Sequence, residues 1–145
     1  MKNKAPGMSL IVKTITRLTV GLILIYAIYI VLRGHISPGG GFAGGVIVAL
    51  SFIHLMLAFG KEAVLNKINR TKGVIIAGLG ALIFLFVSTL GFLGHHRIFG
   101  LSRGFKFSSA GLIPIADIAV ALMAGAGLFV IFLALVLLIE EQKEK

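Results

Sequence analysis

Charged residues interrupt this chain only at long intervals. Lys, Arg, Asp and Glu are absent from Gly34 to Gly60, from Gly73 to His96 and from Ile118 to Ile139. Each gap is long enough for an α-helix to cross a bilayer, which takes about 20 apolar residues. A further apolar run from Leu10 to Leu32 is uncharged from Leu18 onward and carries Lys13 and Arg17 near its start. The pattern therefore predicts an all-α integral membrane protein with four spans, at about 10–32, 38–59, 73–94 and 114–139, in a single membrane domain over 1–145. The first span does not read as a cleaved signal peptide. Lys13 and Arg17 fall where the apolar run would begin, and the run ends in Leu32-Arg33-Gly34-His35 rather than in a small-residue cleavage site.

Composition narrows the class without altering it. Of 145 residues, 58% are apolar and 13% charged, and the mean hydropathy is +1.07. A soluble domain carries about a quarter charged residues, so soluble globular and disordered chains are both excluded. At about 20 to 23 residues each, four spans take up some 85 to 90 residues, and the expectation is that no catalytic domain stands outside the membrane. Cysteine is absent, which removes disulfides, thiolate metal sites and thiol catalysis together.

The 14 Lys and Arg residues divide unevenly between the two faces. One face collects Lys2, Lys4, Lys13, Arg17, Lys61, Lys67, Arg70, Lys72, Lys143 and Lys145, and the other only Arg33, Arg97, Arg103 and Lys106. Short loops rich in Lys and Arg remain cytoplasmic, so both termini are expected inside. The net charge of +9 then serves topology and attraction to anionic headgroups of membrane lipids. No folded basic surface is left for a nucleic acid, and no nucleic-acid partner is expected. In the outer loop, His95, His96, Arg97, Arg103 and Lys106 alternate with Phe99, Phe105 and Phe107. That interleaving suits a membrane interface or a partner subunit.

Glycine is unusually frequent, at 19 residues. Gly40 with Gly44, Gly41 with Gly45, and Gly45 with Ala49 stand four apart on one helix face, and Ala121 with Gly125 repeats the spacing in the last span. Such faces let helix backbones approach closely in lipid. The densest run, from Arg33 through Pro38-Gly39-Gly40-Gly41-Phe42 to Gly44-Gly45, joins the first two spans. Gly39, Gly41 and Gly44 formally match a dinucleotide fingerprint, but no strand of a βαβ unit precedes them, and no Gly-Lys-Ser/Thr follows to make a phosphate loop. A sharp outer turn fits better, with Pro38 setting φ at the start of the second helix and the glycines permitting close backbone approach. Irregular backbone at membrane depth must be buried in protein or line a wet cavity.

Few ionisable groups fall inside the spans. Asp117, three residues after Pro114, either occupies the first turn of the last helix, where the dipole favours it, or faces a hydrated cavity or partner and handles a proton or cation. His54 lies 16 residues into the second span, about 9 Å from its cytoplasmic end. It is suited to proton relay, or alternatively to a hydrogen bond between helices. Lys13 and Arg17 are expected to snorkel toward the cytoplasmic surface. Ser51, Ser88 and Thr89 are expected to hydrogen-bond between helices. There is no carboxylate pair, no nucleophile beside a base and no metal-ligand spacing, so neither an enzyme acting alone nor a cofactor or metal is expected.

Arg33-Gly34-His35, Pro38-Gly39-Gly40-Gly41-Phe42 and Gly44-Gly45, together with Asp117-Ile118 near the start of the last span, resemble the B subunit of the Mrp (also Mnh or Sha) multisubunit sodium/proton antiporters of bacteria. The resemblance extends over nearly the whole chain. It implies a multi-pass subunit of the bacterial cell (inner) membrane, in an assembly that exchanges sodium for protons. Other antiporter subunits, large complex I-like ones among them, would be its partners. It carries over His35, Pro38, Gly39, Gly40, Gly41, Phe42, Gly44, Gly45 and Asp117 as motif residues. Asp117, together with His54 from the reading of the spans above, is a candidate for an ion or proton pathway. The chain itself would be an accessory subunit that shapes helix contacts and lines a cation route. The alternative is a purely structural assembly subunit of a related complex such as a membrane-bound hydrogenase. A stand-alone four-helix multidrug transporter fits less well, because its first span would want an acid where this one has Lys13 and Arg17.

Overall fold

The computed structural model describes residues 8–36, 38–60, 64–65, 69–93 and 113–143. The histidines and aromatics between the last two spans, from His95 to Phe107, lie outside the described residues, as do Lys2, Lys4, Ser37, Lys61, Lys67 and Lys145. Among the described residues there are four long helices: α1 (Leu10–Leu32), α2 (Gly40–Phe59), α3 (Arg70–Leu93) and α4 (Ile113–Lys143). All four are long and apolar enough to cross a membrane. Only 17 to 33% of each span's most apolar stretch is buried within the chain, so most of the apolar surface must face lipid or neighbouring proteins.

The helix ends follow from local chemistry. Ser9 caps α1 by accepting the Val12 N–H at 3.5 Å. At the other end the Arg33 N–H bonds Tyr29 O at 3.1 Å and the Gly34 N–H bonds Val31 O at 3.2 Å. The second helix starts at Gly40, two residues later than the charge pattern suggests, and Pro38 lies in the turn before it rather than at its first position. The reason is Gly39, whose φ of 104° is left-handed and turns the chain immediately before the helix. Gly60, at φ 87°, closes α2 with its N–H on Met56 O at 2.9 Å. Conversely, α3 begins earlier and α4 ends later than the uncharged gaps, since backbone hydrogen bonding continues past the point where side chains become charged.

The helices pack in the order α1, α2, α4, α3, with α2 and α4 central. Small residues set the spacing. A β-carbon added at Gly45 would stand 2.6 Å from Ala121 O and 3.0 Å from Ala121 Cα, and one at Gly125 would stand 3.0 Å from Gly45 O. One at Gly44 would run into Val31 of α1, and one at Gly80 would stand 2.8 Å from Ala119 O. These contacts make α2 and α4 parallel, and α1 and α3 antiparallel to them. The chain enters α1 and leaves α4 at the same end of the bundle.

At that end the α2–α4 seam widens into an apolar cluster of Met56, Val64, Phe129 and Leu133, with Phe52 against Phe129 edge-to-face at 5.9 Å. Hydroxyls contribute little across the seams. Ser51 and Thr89 donate to the carbonyls of Ile47 and Leu85, four residues back in their own helices, contrary to the interhelical bonds expected of them. In a dry span the nearest free acceptor is the preceding turn's carbonyl.

Gly45→Ala is therefore expected to destabilise the α2–α4 pair by about 1–3 kcal/mol, because the obstructing atoms are backbone. Gly78→Ala, where nothing lies within 4 Å, is expected to be neutral or to stabilise by up to ~1 kcal/mol through helix propensity. Unfolding of the two variants in mixed detergent micelles checks the contrast.

Candidate functional site

The glycine turn after α1 and the beginning of α4 meet around one carboxylate. Asp117 is the fifth residue of α4, past the first helical turn, which contains no acid. The first-turn reading therefore fails: the side chain serves another helix rather than its own. Its Oδ1 accepts the Gly41 N–H at 3.2 Å. Gly41 is the second residue of α2, whose N-cap, Gly39, offers no side chain to the first-turn donors. Asp117 thus caps α2 from across the bundle, where the positive end of the helix dipole favours its charge.

Three glycines make room for this arrangement. A β-carbon at Gly34 would run into the Asp117 carboxylate, and one at Gly41 into the Asp117 backbone carbonyl. At Gly40, with φ of 51°, it would stand 3.1 Å from Asp117 Oδ1 and 3.6 Å from Gly34 O. Gly34 has no left-handed φ to require glycine, so the nearby carboxylate is what excludes a side chain there.

Two polar atoms at this junction are buried and lack a hydrogen-bond partner among the described residues: Asp117 Oδ2 and His35 Nδ1. An orphaned carboxylate oxygen packed against Gly34 can take a proton, a water or a cation, and an orphaned imidazole nitrogen can donate or accept. No group of three His, Asp or Glu that could hold a metal ion occurs among the described residues. A cation at Asp117 would depend on one carboxylate and backbone carbonyls, a donor set of hard oxygens.

The other sequence candidates are placed apart. Gly41, Gly44 and Gly45 are buried in the seams, His35 is half-buried, and Pro38 and Gly39 are exposed on the turn. Phe42 is 61% exposed. His54 is half-buried in α2, 13 residues beyond Gly41 and hence about 20 Å along the helix axis. The structure does not bring His54 together with Asp117. Arg17 stacks its guanidinium on Phe59 at 5.0 Å, tying the entry end of α1 to the far end of α2. Gly34 is the site residue that spacing alone did not single out. Its signal in the sequence was its place in the Arg33-Gly34-His35 element of the family resemblance, at the end of the first apolar run.

Residues 11–138 match the family model described as "Domain related to MnhB subunit of Na+/H+ antiporter". An uncharacterized protein of Methanocaldococcus jannaschii is 38% identical over 117 residues, covering 74% of this chain and 44% of that protein. A Staphylococcus aureus protein named "Putative antiporter subunit mnhB2" is 35% identical over 82 residues, covering 52% of this chain and 58% of that protein. The chain thus spans about half the length of these relatives. A chain in the solved structure of the membrane-bound sulfane sulfur reductase, an archaeal respiratory membrane complex, shares the fold, with a TM-score of 0.71 and 24% identity over 90% of this chain and 58% of that one.

The contact between Gly34 and the carboxylate gives a coupled prediction. Gly34→Ala is expected to destabilise by about 1–3 kcal/mol, and Asp117→Ala by about 1 kcal/mol through loss of the α2 cap. In the double variant the penalty of Gly34→Ala should largely disappear, because the obstructing atoms are those of the Asp117 side chain. A double-mutant cycle of unfolding free energies measures the non-additivity.

Proposed function

The chain belongs to the family of the MnhB subunit of Na+/H+ antiporters, and from that premise we propose that it is an accessory subunit of a multisubunit sodium/proton antiporter whose Asp117 junction lines a cation route. The observation that carries this reading is the Asp117 carboxylate in the outer glycine turn, with one oxygen held by the Gly41 N–H and the other buried without a partner among the described residues. An acid inside a membrane span is functional by default. Here one oxygen fixes its position and the other remains available to an ion or a proton.

The proposal extends to setting and partners. The start of α1 and the end of α4 share one end of the bundle, and the excess of Lys and Arg in the sequence segments that adjoin it argues for that end lying in the cytoplasm, at a bacterial cell (inner) membrane. Large antiporter-like subunits, similar to those of complex I, would cover part of the apolar surface that this chain leaves bare, and lipid the rest. The chain would catalyse no reaction of its own. Its substrates within the assembly would be sodium ions and protons. His54, remote from Asp117, would act separately from it, if on a proton route then toward the cytoplasmic end of α2.

A second reading is favoured by the Gly41 bond itself, since a carboxylate that caps a neighbouring helix has a structural task. On that reading the chain is an assembly subunit, as in a respiratory or hydrogenase-type membrane complex. Asp117→Asn separates the two, because the amide oxygen can still accept the Gly41 N–H while the charge is removed. In everted vesicles carrying the intact complex, Asp117→Asn is expected to lower sodium-dependent proton movement at least about tenfold with subunit copurification unchanged. Normal transport by the variant complex would leave only the structural role.

A further inference from the structure

His35 is fixed beside Asp117 by the backbone of the glycine turn. The Ile36 N–H donates to Arg33 O at 2.9 Å, closing a β-turn that has Gly34 and His35 at its two central positions. Gly34 packs against the Asp117 carboxylate, and Oδ2 is the atom a β-carbon there would meet first. His35 follows one Cα step later, about 3.8 Å along the chain. The acid is pinned as well, because its Oδ1 accepts the Gly41 N–H. His35 Nδ1 and Asp117 Oδ2 are thus held at one junction, both buried, and do not bond each other.

Two unpaired polar atoms enclosed at one place carry a desolvation cost that a turn with a purely structural task would avoid by pairing them. Between groups that do not touch, a proton passes through a bridging water. An imidazole is suited to such a transfer near neutral pH, since it can take a proton at one nitrogen and release one from the other. Nδ1 is enclosed while His35 as a whole is only half-buried, which leaves Nε2 as the nitrogen through which the ring exchanges with the surface. Among the described residues, the other ionisable side chains near the turn are Arg33 and Tyr29, with the guanidinium over the phenol ring at 5.3 Å. Neither a guanidinium nor a phenol gives up its proton readily at neutral pH.

We propose that His35 is the proton carrier of the Asp117 site, delivering protons from the turn's end of the bundle to the carboxylate oxygen that also takes sodium. This rests on the reading of Asp117 as part of a cation route. A proton arriving at Nε2 makes the imidazolium. The Nδ1 proton then passes through water to Oδ2, sodium leaves the neutralised carboxyl group, and the ring is neutral again. One proton has been bound and one sodium ion released, so the net charge of the site is unchanged. Since either ion satisfies the same oxygen, sodium can also replace sodium there with no proton involved, and that exchange does not call on His35.

The test uses the purified intact complex in proteoliposomes and follows radiolabelled sodium in two assays: uptake driven by an imposed proton gradient, and tracer exchange at equal sodium and equal pH on both sides. His35→Gln and His35→Asn, which keep a polar group at the turn, are expected to slow the proton-driven uptake about tenfold or more and to leave tracer exchange and subunit copurification as in the wild type. Asp117→Asn is expected to abolish both. If Asp117→Asn stops transport while both His35 variants keep proton-driven uptake, the cation route stands and the role of His35 falls. Loss of both assays, or of assembly, in the two His35 variants gives that residue a structural task and overturns the proposal. A wild-type complex without tracer exchange overturns the shared oxygen and with it the proposal. Should Asp117→Asn leave both assays intact, the reading of the cation route fails first, and this proposal falls with it.

Discussion

Backbone-to-backbone contact between α2 and α4 is the constraint on which the remaining features depend. At Gly41 and Gly45 the α2 backbone lies so close to Asp117 and Ala121 of α4 that even a methyl group would not fit. In lipid there is no hydrophobic driving force between helices, so association rests on dispersion, weak hydrogen bonds and lipid entropy, all of which need close approach. Because the contact is made by residues four apart on both helices, it sets their register as well as their distance. That register carries the N-terminus of α2 to the level of Asp117.

From the same register follows the double nature of the acid. Asp117 holds the first turn of α2, which has no capping side chain of its own, and does so with one oxygen only. The other oxygen, together with His35 Nδ1, is enclosed by the turn without a partner among the described residues. Gly34 and Gly40 keep the space around the carboxylate open. A structural bond and a chemically available oxygen on one side chain are compatible because a carboxylate has acceptor capacity to spare.

The central pair also decides what happens at the edges. With α1 packed at Gly44 on one side and α3 at Gly80 on the other, the outer helices take opposite flanks of the pair, and an apolar groove lined by residues of all four helices lies between them. Large side chains such as Leu18, Leu22, Leu82 and Phe86 are well exposed on the outer faces. For a soluble protein that surface would be an aggregation hazard, but for a membrane subunit it is where lipid and neighbours attach.

Much of the fold was legible in the chain because membrane insertion is a one-dimensional constraint. Uncharged runs long enough to span, with charges between them, fix the number of helices and roughly where each lies. The four-residue glycine spacing announced close contacts, and Asp117 stood out as the acid within an otherwise uncharged environment. The sequence by itself therefore determined the class, the spans and the short list of residues. What only the tertiary structure decided was pairing: that the Gly41 face meets Asp117, that Gly34 is excluded from carrying a side chain by that carboxylate, that His54 is remote, and that α1 and α3 leave a groove. Those facts depend on helix rotation and register, which hydrophobicity in lipid leaves nearly free because an apolar helix is apolar on every side.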